Sequence, residues 1–250
     1  MKLASKFSPT QFEMLRVGVV ILFMLGVFFY VSSISAGLEG SYLLIVAALF
    51  GGYMALNIGA NDVANNVGPA VGAKAISLGG AIMIAAIFEA TGALVAGGDV
   101  VSTIKKGIID PNLIQNTQVF IWLMMAALLA GALWLNLATF LGAPVSTTHS
   151  IVGGVLGAGI AAGGMDIANW GKMGAIAASW VISPVLGGLI AALFLYLMKH
   201  TIFHKTNMLD SAKKMIPIFL AIMTCAFTTY LCLKGLKKVW KMDFQTASII

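Results

Sequence analysis

An aspartate and four asparagines lie close together in a part of the chain that is otherwise apolar. They are Asp62, Asn57, Asn61, Asn65 and Asn66. A hydrocarbon layer strongly disfavours an ionisable side chain unless that side chain is paired or faces a wet cavity. Amides alone could serve only to hydrogen-bond neighbouring helices, but that role needs no carboxylate. The cluster therefore predicts a site that holds a charged species, with amide oxygens suited to a hard cation.

A second polar group, in residues 144–149, has three consecutive hydroxyls followed by a histidine. The residues are Ser146, Thr147, Thr148 and His149. Hydroxyls donate to anionic oxygens without adding a fixed positive charge, which suits the reversible binding of an anion. They could instead bond to carbonyls one turn earlier in a helix. The histidine either moves a proton or is a hydrogen-bonded structural residue.

Glu89 is the other acid that lies deep in a predicted membrane span. Of the nine acidic residues, only Asp62 and Glu89 fall well inside the apolar stretches. A carboxyl group there should take up a proton or bind a cation, unless it is a neutral acid bonded to nearby backbone.

Charge balance links these groups. In a poorly solvated cavity, Asp62 would strongly repel a bound oxyanion unless a cation lies between them or protons neutralise the site. Anion binding therefore implies that a cation or a proton binds with the anion. Such coupling lets an ion gradient drive uptake.

Composition places the whole cluster in a membrane. The 250 residues are 60% hydrophobic and 10% charged, with 28 glycines, and the mean hydropathy is +0.97. The lysines and arginines flank the apolar stretches, which indicates helix orientation and not nucleic-acid binding. The pattern predicts an all-α polytopic helix bundle, not an outer-membrane barrel. The apolar stretches cover about residues 17–36, 42–57, 78–97, 119–142, 150–164, 174–198 and 215–233.

Two of these stretches contain sequences typical of broken or re-entrant helices. The first is interrupted at Gly59 by the polar run, and the second at Gly142 and Pro144. Each interruption precedes a helix of small residues, at 63–73 and 151–159. Non-helical backbone at membrane depth needs a covering of protein or a wet cavity, so both breaks predict cavity walls. Free N–H groups at the following helix starts would suit an oxyanion.

The charged segments suggest four divisions of the chain. Residues 1–16 form a basic N-terminal segment and residues 17–198 form a membrane transport repeat. Residues 199–214 are predicted to be a basic loop, and residues 215–250 a last helix with a basic tail that begins a linker to a second half.

Three short motifs resemble those of the inorganic phosphate transporter (Pit) family. They are GANDVAN at residues 59–65, FEATGA at 88–93 and PVSTTH at 144–149. The resemblance covers about residues 42–198 and implies secondary active transport of inorganic phosphate, coupled to sodium or protons, by alternating access. No covalent chemistry, enzyme activity or cofactor is implied, and no P-loop is present.

The resemblance also implies roles for individual residues. The phosphate-binding residues are Asp62, Ser146, Thr147 and Thr148, and the coupling-ion residues are Asn61, Asp62, Asn65 and Glu89. Asp62, Asn61 and Asn65 are the candidate sodium ligands, and further candidates are Asn57, Asn66 and His149. Asn66 departs from the family pattern, in which a small residue is usual.

Length is the larger departure, because family members carry both signatures twice, in two inverted halves. We expect this chain to correspond to the N-terminal half, completed by a second half or by an antiparallel homodimer partner. The expected partners are phosphate, sodium or protons, and membrane lipid, in a multi-pass protein of the cell membrane, such as a bacterial inner membrane. The alternatives are a cation channel or cation-only carrier that uses Asp62 and Glu89, or an accessory membrane subunit.

Overall fold

The computed structural model describes residues 8–114 and 116–235, and these residues are almost entirely helical. The α-helices are α1 Pro9–Ile34, α2 Ser41–Ile58, α3 Ala64–Gly72, α4 Leu78–Gly107, α5 Thr117–Phe140, α6 Thr147–Gly163, α7 Trp170–Met198 and α8 Met208–Tyr230. The described ranges contain no β-strand, only an isolated antiparallel bridge between Ile109 and Ala168. The predicted all-α fold is confirmed.

Six helical segments in the described ranges are long and apolar enough to cross a membrane. They are Glu13–Ile34, Ser41–Gly72, Leu78–Val95, Thr117–Phe140, Trp170–Phe203 and Met208–Leu233. Backbone groups in such segments are satisfied within the helix, which is what a hydrocarbon environment requires. Together with the apolar composition, these segments define a multi-pass membrane protein.

The chain forms two compact units. The first comprises residues up to Ala85 together with Ile109–Ala168, and the second comprises Ala86–Ile108 and the residues from Asn169 onward. The second unit includes α7 and α8, whose Phe194 and Phe219 rings meet edge to face at 6.0 Å. Both signature segments, 59–65 and 144–149, belong to the first unit.

In the first unit, α2 and α5 run side by side in the same direction. Gly51 packs near Leu128, Met54 near Gly131, and Asn57 bonds to Asn136 further along. A small core of Met54, Ala132 and Leu135 lies between these helices, with Val145 and Ile151 packed against it. Because Val145 adjoins this core, the start of α6 is held against α2 and α5.

The turn between α5 and α6 has the geometry of a Schellman motif. The Ala143 N–H donates to the Ala138 carbonyl at 2.8 Å, and the Gly142 N–H donates to the Thr139 carbonyl at 3.1 Å. Gly142 has a φ of 67°, a left-handed conformation that glycine adopts without a Cβ penalty. Pro144 follows and cannot continue the helix. The break predicted at this position is confirmed.

The break predicted at Gly59 is wrong. Residues Gly59–Val63 form a π-helical turn that joins α2 to α3 within one 32-residue helical segment, Ser41–Gly72. Ile58 and Gly59 on one side and Val63 and Ala64 on the other all have right-handed helical dihedrals. The polar side chains bond to neighbouring protein groups, so the helix continues through them. The start of α3 consequently offers no set of free N–H donors to an anion.

The predicted basic loop at 199–214 is also wrong over most of its length. Residues Lys199–Phe203 extend α7 as a π-helical turn, and α8 already begins at Met208. Asn207 caps α8, because its side chain accepts a hydrogen bond from the Asp210 N–H. Residues 1–7 of the expected basic N-terminal segment and residues 236–250 of the basic tail lie outside the described residues. The rest of the N-terminal segment caps and begins α1.

Alanine at position 154 is expected to destabilise the first unit, whereas alanine at position 153 is not. A Cβ on Gly154 would lie 2.7 Å from the Ala127 carbonyl oxygen, while a Cβ on Gly153 meets nothing within 4 Å. Overpacking costs about 1–3 kcal/mol, and replacing glycine in an open helical position stabilises by up to about 1 kcal/mol. Thermal unfolding of each purified variant in detergent measures its change in stability. Equal stability of the two variants would contradict close packing of α5 against α6.

Candidate functional site

The 59–63 π-turn presents two consecutive polar residues, Asn61 and Asp62, to the segment that joins α5 to α6. Asn61 is 6% exposed. Its amide nitrogen donates to Thr139 Oγ1 at 3.2 Å and to the Ala143 carbonyl at 3.1 Å. Its amide oxygen accepts from the Val145 N–H at 3.2 Å and from Asn65 Nδ2 at 3.3 Å. Both signatures therefore meet at one side chain.

Asp62 is half-buried and makes the contact that bears most directly on chemistry. Its Oδ2 accepts a hydrogen bond from Thr147 Oγ1 at 3.3 Å. An ionised carboxylate only accepts hydrogen bonds and has about four acceptor positions. Asp62 therefore has acceptor positions for further donors or for a cation.

The beginning of α6 supplies the groups that could bind an anion. Ser146 is the N-cap residue, and its Oγ accepts from the His149 N–H at 3.3 Å. The first N–H groups of a helix have no partner inside it, so those of Thr147 and Thr148 are available beside the two hydroxyls. A helix start also carries partial positive charge, which favours an anion there.

Asn57 belongs to a neighbouring polar pair on the same side of α2. It is 5% exposed, and its Nδ2 donates to the Tyr53 carbonyl at 2.8 Å. Its Oδ1 accepts from Asn136 Nδ2 at 3.0 Å. This pair ties α2 to α5 one helical turn before Asn61.

The remaining candidates are more exposed. Asn65 reaches back to Asn61, and Asn66 donates to the Asp62 backbone carbonyl at 3.0 Å. Thr148 and His149 are exposed on the first turn of α6. Glu89 is an exposed residue of α4 and belongs to the second unit, whereas Asp62 belongs to the first.

Two contacting residues of α5, Thr139 and Asn136, were missed by sequence reasoning. Each lies in an apolar stretch and bonds to an asparagine of the polar cluster at residues 57–66. The sequence does indicate that these two polar residues lie on one helix face, because they are three residues apart. Their partners could not be identified from the sequence, since the α2–α5 pairing is a tertiary contact.

The arrangement combines an acceptor for cations with donors for anions at one position. No group of three or more histidines, cysteines or acids that could hold a metal ion occurs within the described residues. The site instead has one carboxylate, several amides and hydroxyls, and the start of a helix. Such groups bind small ions reversibly and are not arranged for covalent chemistry.

The apolar helices and this polar cluster define a multi-pass membrane protein whose two polar segments form one site. The sequence model described as "Phosphate transporter family" matches residues 58–250. The chain therefore belongs to the phosphate transporter family, as the motif resemblance predicted.

Relatives and a solved structure agree with this assignment. A Helicobacter pylori (strain J99) protein named "Putative phosphate permease" is 52% identical over 235 residues, which cover 94% of this chain and 44% of that protein. A relative of the same kind from Pyrococcus abyssi is 41% identical over 77% of this chain and 48% of its own length. A solved structure described as "The sodium-dependent phosphate transporter" aligns with a TM-score of 0.74 and 39% identity, over 83% of this chain and 51% of the other. The chain thus spans about half the length of these proteins.

Replacing Asn57 with alanine should destabilise the protein more than replacing Asn66 with alanine. The first change removes a buried amide and leaves the Asn136 donor without its acceptor, a loss of about 1–3 kcal/mol. Asn66 is exposed and bonds only to a carbonyl one turn earlier. Thermal unfolding in detergent gives both values. A smaller loss at Asn57 than at Asn66 would show that the Asn57–Asn136 bond contributes nothing to stability.

Proposed function

We propose that this chain is part of a carrier that moves inorganic phosphate across a membrane together with sodium. Phosphate is bound by Thr147 and Thr148 at the start of α6, with Ser146 beside them and Asp62 on the opposite side. Sodium lies between phosphate and the Asp62 carboxylate, where it neutralises the repulsion between the two negative groups.

The observation that carries this proposal is the hydrogen bond from Thr147 Oγ1 to Asp62 Oδ2, 3.3 Å long. It joins the acid of one signature to the hydroxyl cluster of the other. A pathway for cations alone has no evident need for hydroxyls and free N–H groups at a helix start. A site for phosphate and a cation needs both kinds of group within a few ångströms.

The same hydrogen bond supplies a physical reason for coupling. A threonine hydroxyl has one proton to donate. While Thr147 donates that proton to Asp62, it cannot also donate it to a phosphate oxygen. A sodium ion bound to the carboxylate replaces this donor and frees the proton for phosphate. Each ion then improves the binding of the other, as thermodynamic coupling requires.

Sodium is preferred over a proton because the aligned solved structure is described as sodium-dependent and is 39% identical to this chain. A proton on Asp62 would also release Thr147, since the acid would then donate to the hydroxyl oxygen. Glu89, a carboxylate on an apolar helix, is proposed to bind a coupling ion of its own. Asn65, in the unit that contains Asp62, is a further candidate ligand of the sodium ion there.

Transport then proceeds by alternating access, with the signature segments moving against the rest of the bundle. The relatives are about twice as long as the part that this chain matches. Uptake is therefore best tested with the chain alone and with the chain combined with the part of the Helicobacter pylori relative outside the match. Either preparation showing gradient-dependent phosphate uptake supports the proposal.

The Asp62→Asn variant is expected to lose at least about 90% of sodium-driven uptake of labelled phosphate in proteoliposomes. The amide that replaces the carboxylate has one neutral acceptor oxygen, so both the sodium ligand and the acceptor of Thr147 lose their charge, and charge-assisted bonds contribute about 1.5–3 kcal/mol each. Asp166→Asn is the matched control, because Asp166 is an exposed acid of the same unit, in the short 3₁₀ turn Met165–Ile167 that follows α6. Full uptake by the Asp62→Asn variant would remove this carboxylate from the mechanism. A sodium current that does not depend on phosphate would favour a cation pathway instead.

The Glu89→Gln variant should need about tenfold more sodium for half-maximal uptake, because it loses one charged ligand of the coupling ion. Uptake measured across a series of sodium concentrations at saturating phosphate gives this value. An unchanged sodium dependence would assign Glu89 a role other than ion binding.

A further inference from the structure

The Asn61 side chain, expected from the motif resemblance to bind the coupling ion, has contacts that point to a different role. We infer that Asn61 and Thr139 are positioning residues: they hold the 141–146 turn against the 59–63 π-turn and thereby place Thr147 against Asp62. The transport part of this inference rests on the proposed function, but its structural part does not.

The Asn61 amide has every hydrogen-bonding position filled by protein. A carboxamide has two N–H donors and an oxygen with two lone pairs. The donors go to Thr139 Oγ1 and the Ala143 carbonyl, and the oxygen accepts from Val145 N–H and Asn65 Nδ2. A sodium ion bound to this oxygen would have to displace one of those two donors. Displacing the Val145 N–H would leave a half-buried backbone donor without its partner.

Thr139 and the Ala143 carbonyl are the two acceptors that set which way the Asn61 amide faces. The Thr139 hydroxyl donates its one proton to the Leu135 carbonyl at 2.8 Å. It can therefore only accept from Asn61, so the amide nitrogen must face Thr139. The amide oxygen is consequently directed at the Val145 N–H. A residue outside both signatures thus contributes to the orientation of the central asparagine.

The Val145 N–H, which donates to the Asn61 oxygen, connects the orientation of this amide to the position of the backbone at the site. Val145 lies two residues before Thr147, and its side chain packs against the core of Met54, Ala132 and Leu135. Core packing and the Asn61 bond together fix the backbone just before α6 begins. Because Asn61 and Asp62 are consecutive in one π-turn, the same turn that holds Val145 also presents the acceptor for Thr147.

The Asn61→Asp variant separates a positioning residue from an ion ligand. If the Asn61 oxygen binds sodium, a carboxylate in its place should preserve or strengthen sodium binding, because hard cations favour carboxylates. If Asn61 is a positioning residue, aspartate removes both donors and sets an anionic oxygen against Thr139 Oγ1 and the Ala143 carbonyl. We expect phosphate KM to rise at least about tenfold, with no gain in sodium affinity.

Thr139 allows a milder test that does not introduce a charge. Thr139→Val keeps the shape but removes the acceptor of Asn61, whereas Thr139→Ser keeps the hydroxyl. We expect Thr139→Val to raise phosphate KM by about three- to tenfold and Thr139→Ser to restore values near those of the unchanged protein. Thr201→Val is the matched control, because Thr201 also donates to a carbonyl one turn earlier, at 2.7 Å, and lies outside this network.

Hydrogen exchange at the Val145 amide gives a readout that does not depend on transport. We expect Asn61→Asp and Thr139→Val to speed exchange there by about tenfold, while Thr139→Ser and Thr201→Val leave it unchanged. Unchanged exchange and unchanged phosphate KM in Thr139→Val would overturn the inference, as would a tighter sodium response in Asn61→Asp. If the unchanged protein fails to transport phosphate, the proposed function fails, while the exchange rates still decide whether Asn61 and Thr139 hold the turn.

Discussion

The contact between the Asp62 carboxylate and the Thr147 hydroxyl is the interaction on which the site depends. It places a negative side chain beside the start of a helix, where free N–H groups and hydroxyls favour a negative ligand. The Asp62 carboxylate and a negative ligand at the helix start repel each other unless a positive ion lies between them. This repulsion is useful for a carrier, since neither ion is held well alone. In the proposed carrier, this charge arrangement couples the two ions through electrostatics and one hydroxyl proton.

The surrounding structure serves mainly to keep that contact in place. A Schellman turn with Gly142 in a left-handed conformation ends α5 abruptly, and Ser146 caps α6 four residues later. On the facing helix, the π-turn at 59–63 directs Asn61 and Asp62 towards this turn. π-turns inside α-helices are frequent at functional sites. Here the turn lets adjacent side chains perform different tasks, one holding backbone and the other meeting a hydroxyl.

Part of this structure could be predicted from the sequence, because helix ends and turns are set by residues that are close together along the chain. Glycine and proline at 142 and 144 predicted the break before α6, and the motif resemblance, which assigned Asp62 and Thr147 to one phosphate site, implied that the two segments meet. Gly59 misled the prediction, because a single glycine in a helix costs only about 1 kcal/mol and the amides around it find protein partners. Thr139 and Asn136 could not be assigned, since their role follows from the pairing of α2 with α5. The inverted repeat and the ion-binding roles stay predictions.

Calorimetric titration of phosphate into the purified protein at alkaline pH, in sodium and then in choline, tests the charge balance most directly. The account predicts that phosphate binds at least about tenfold more tightly in sodium, because the carboxylate repels phosphate until a cation lies between them. It also predicts that sodium binds more tightly when phosphate is present, by the same factor. Equal phosphate affinity in sodium and in choline would contradict it.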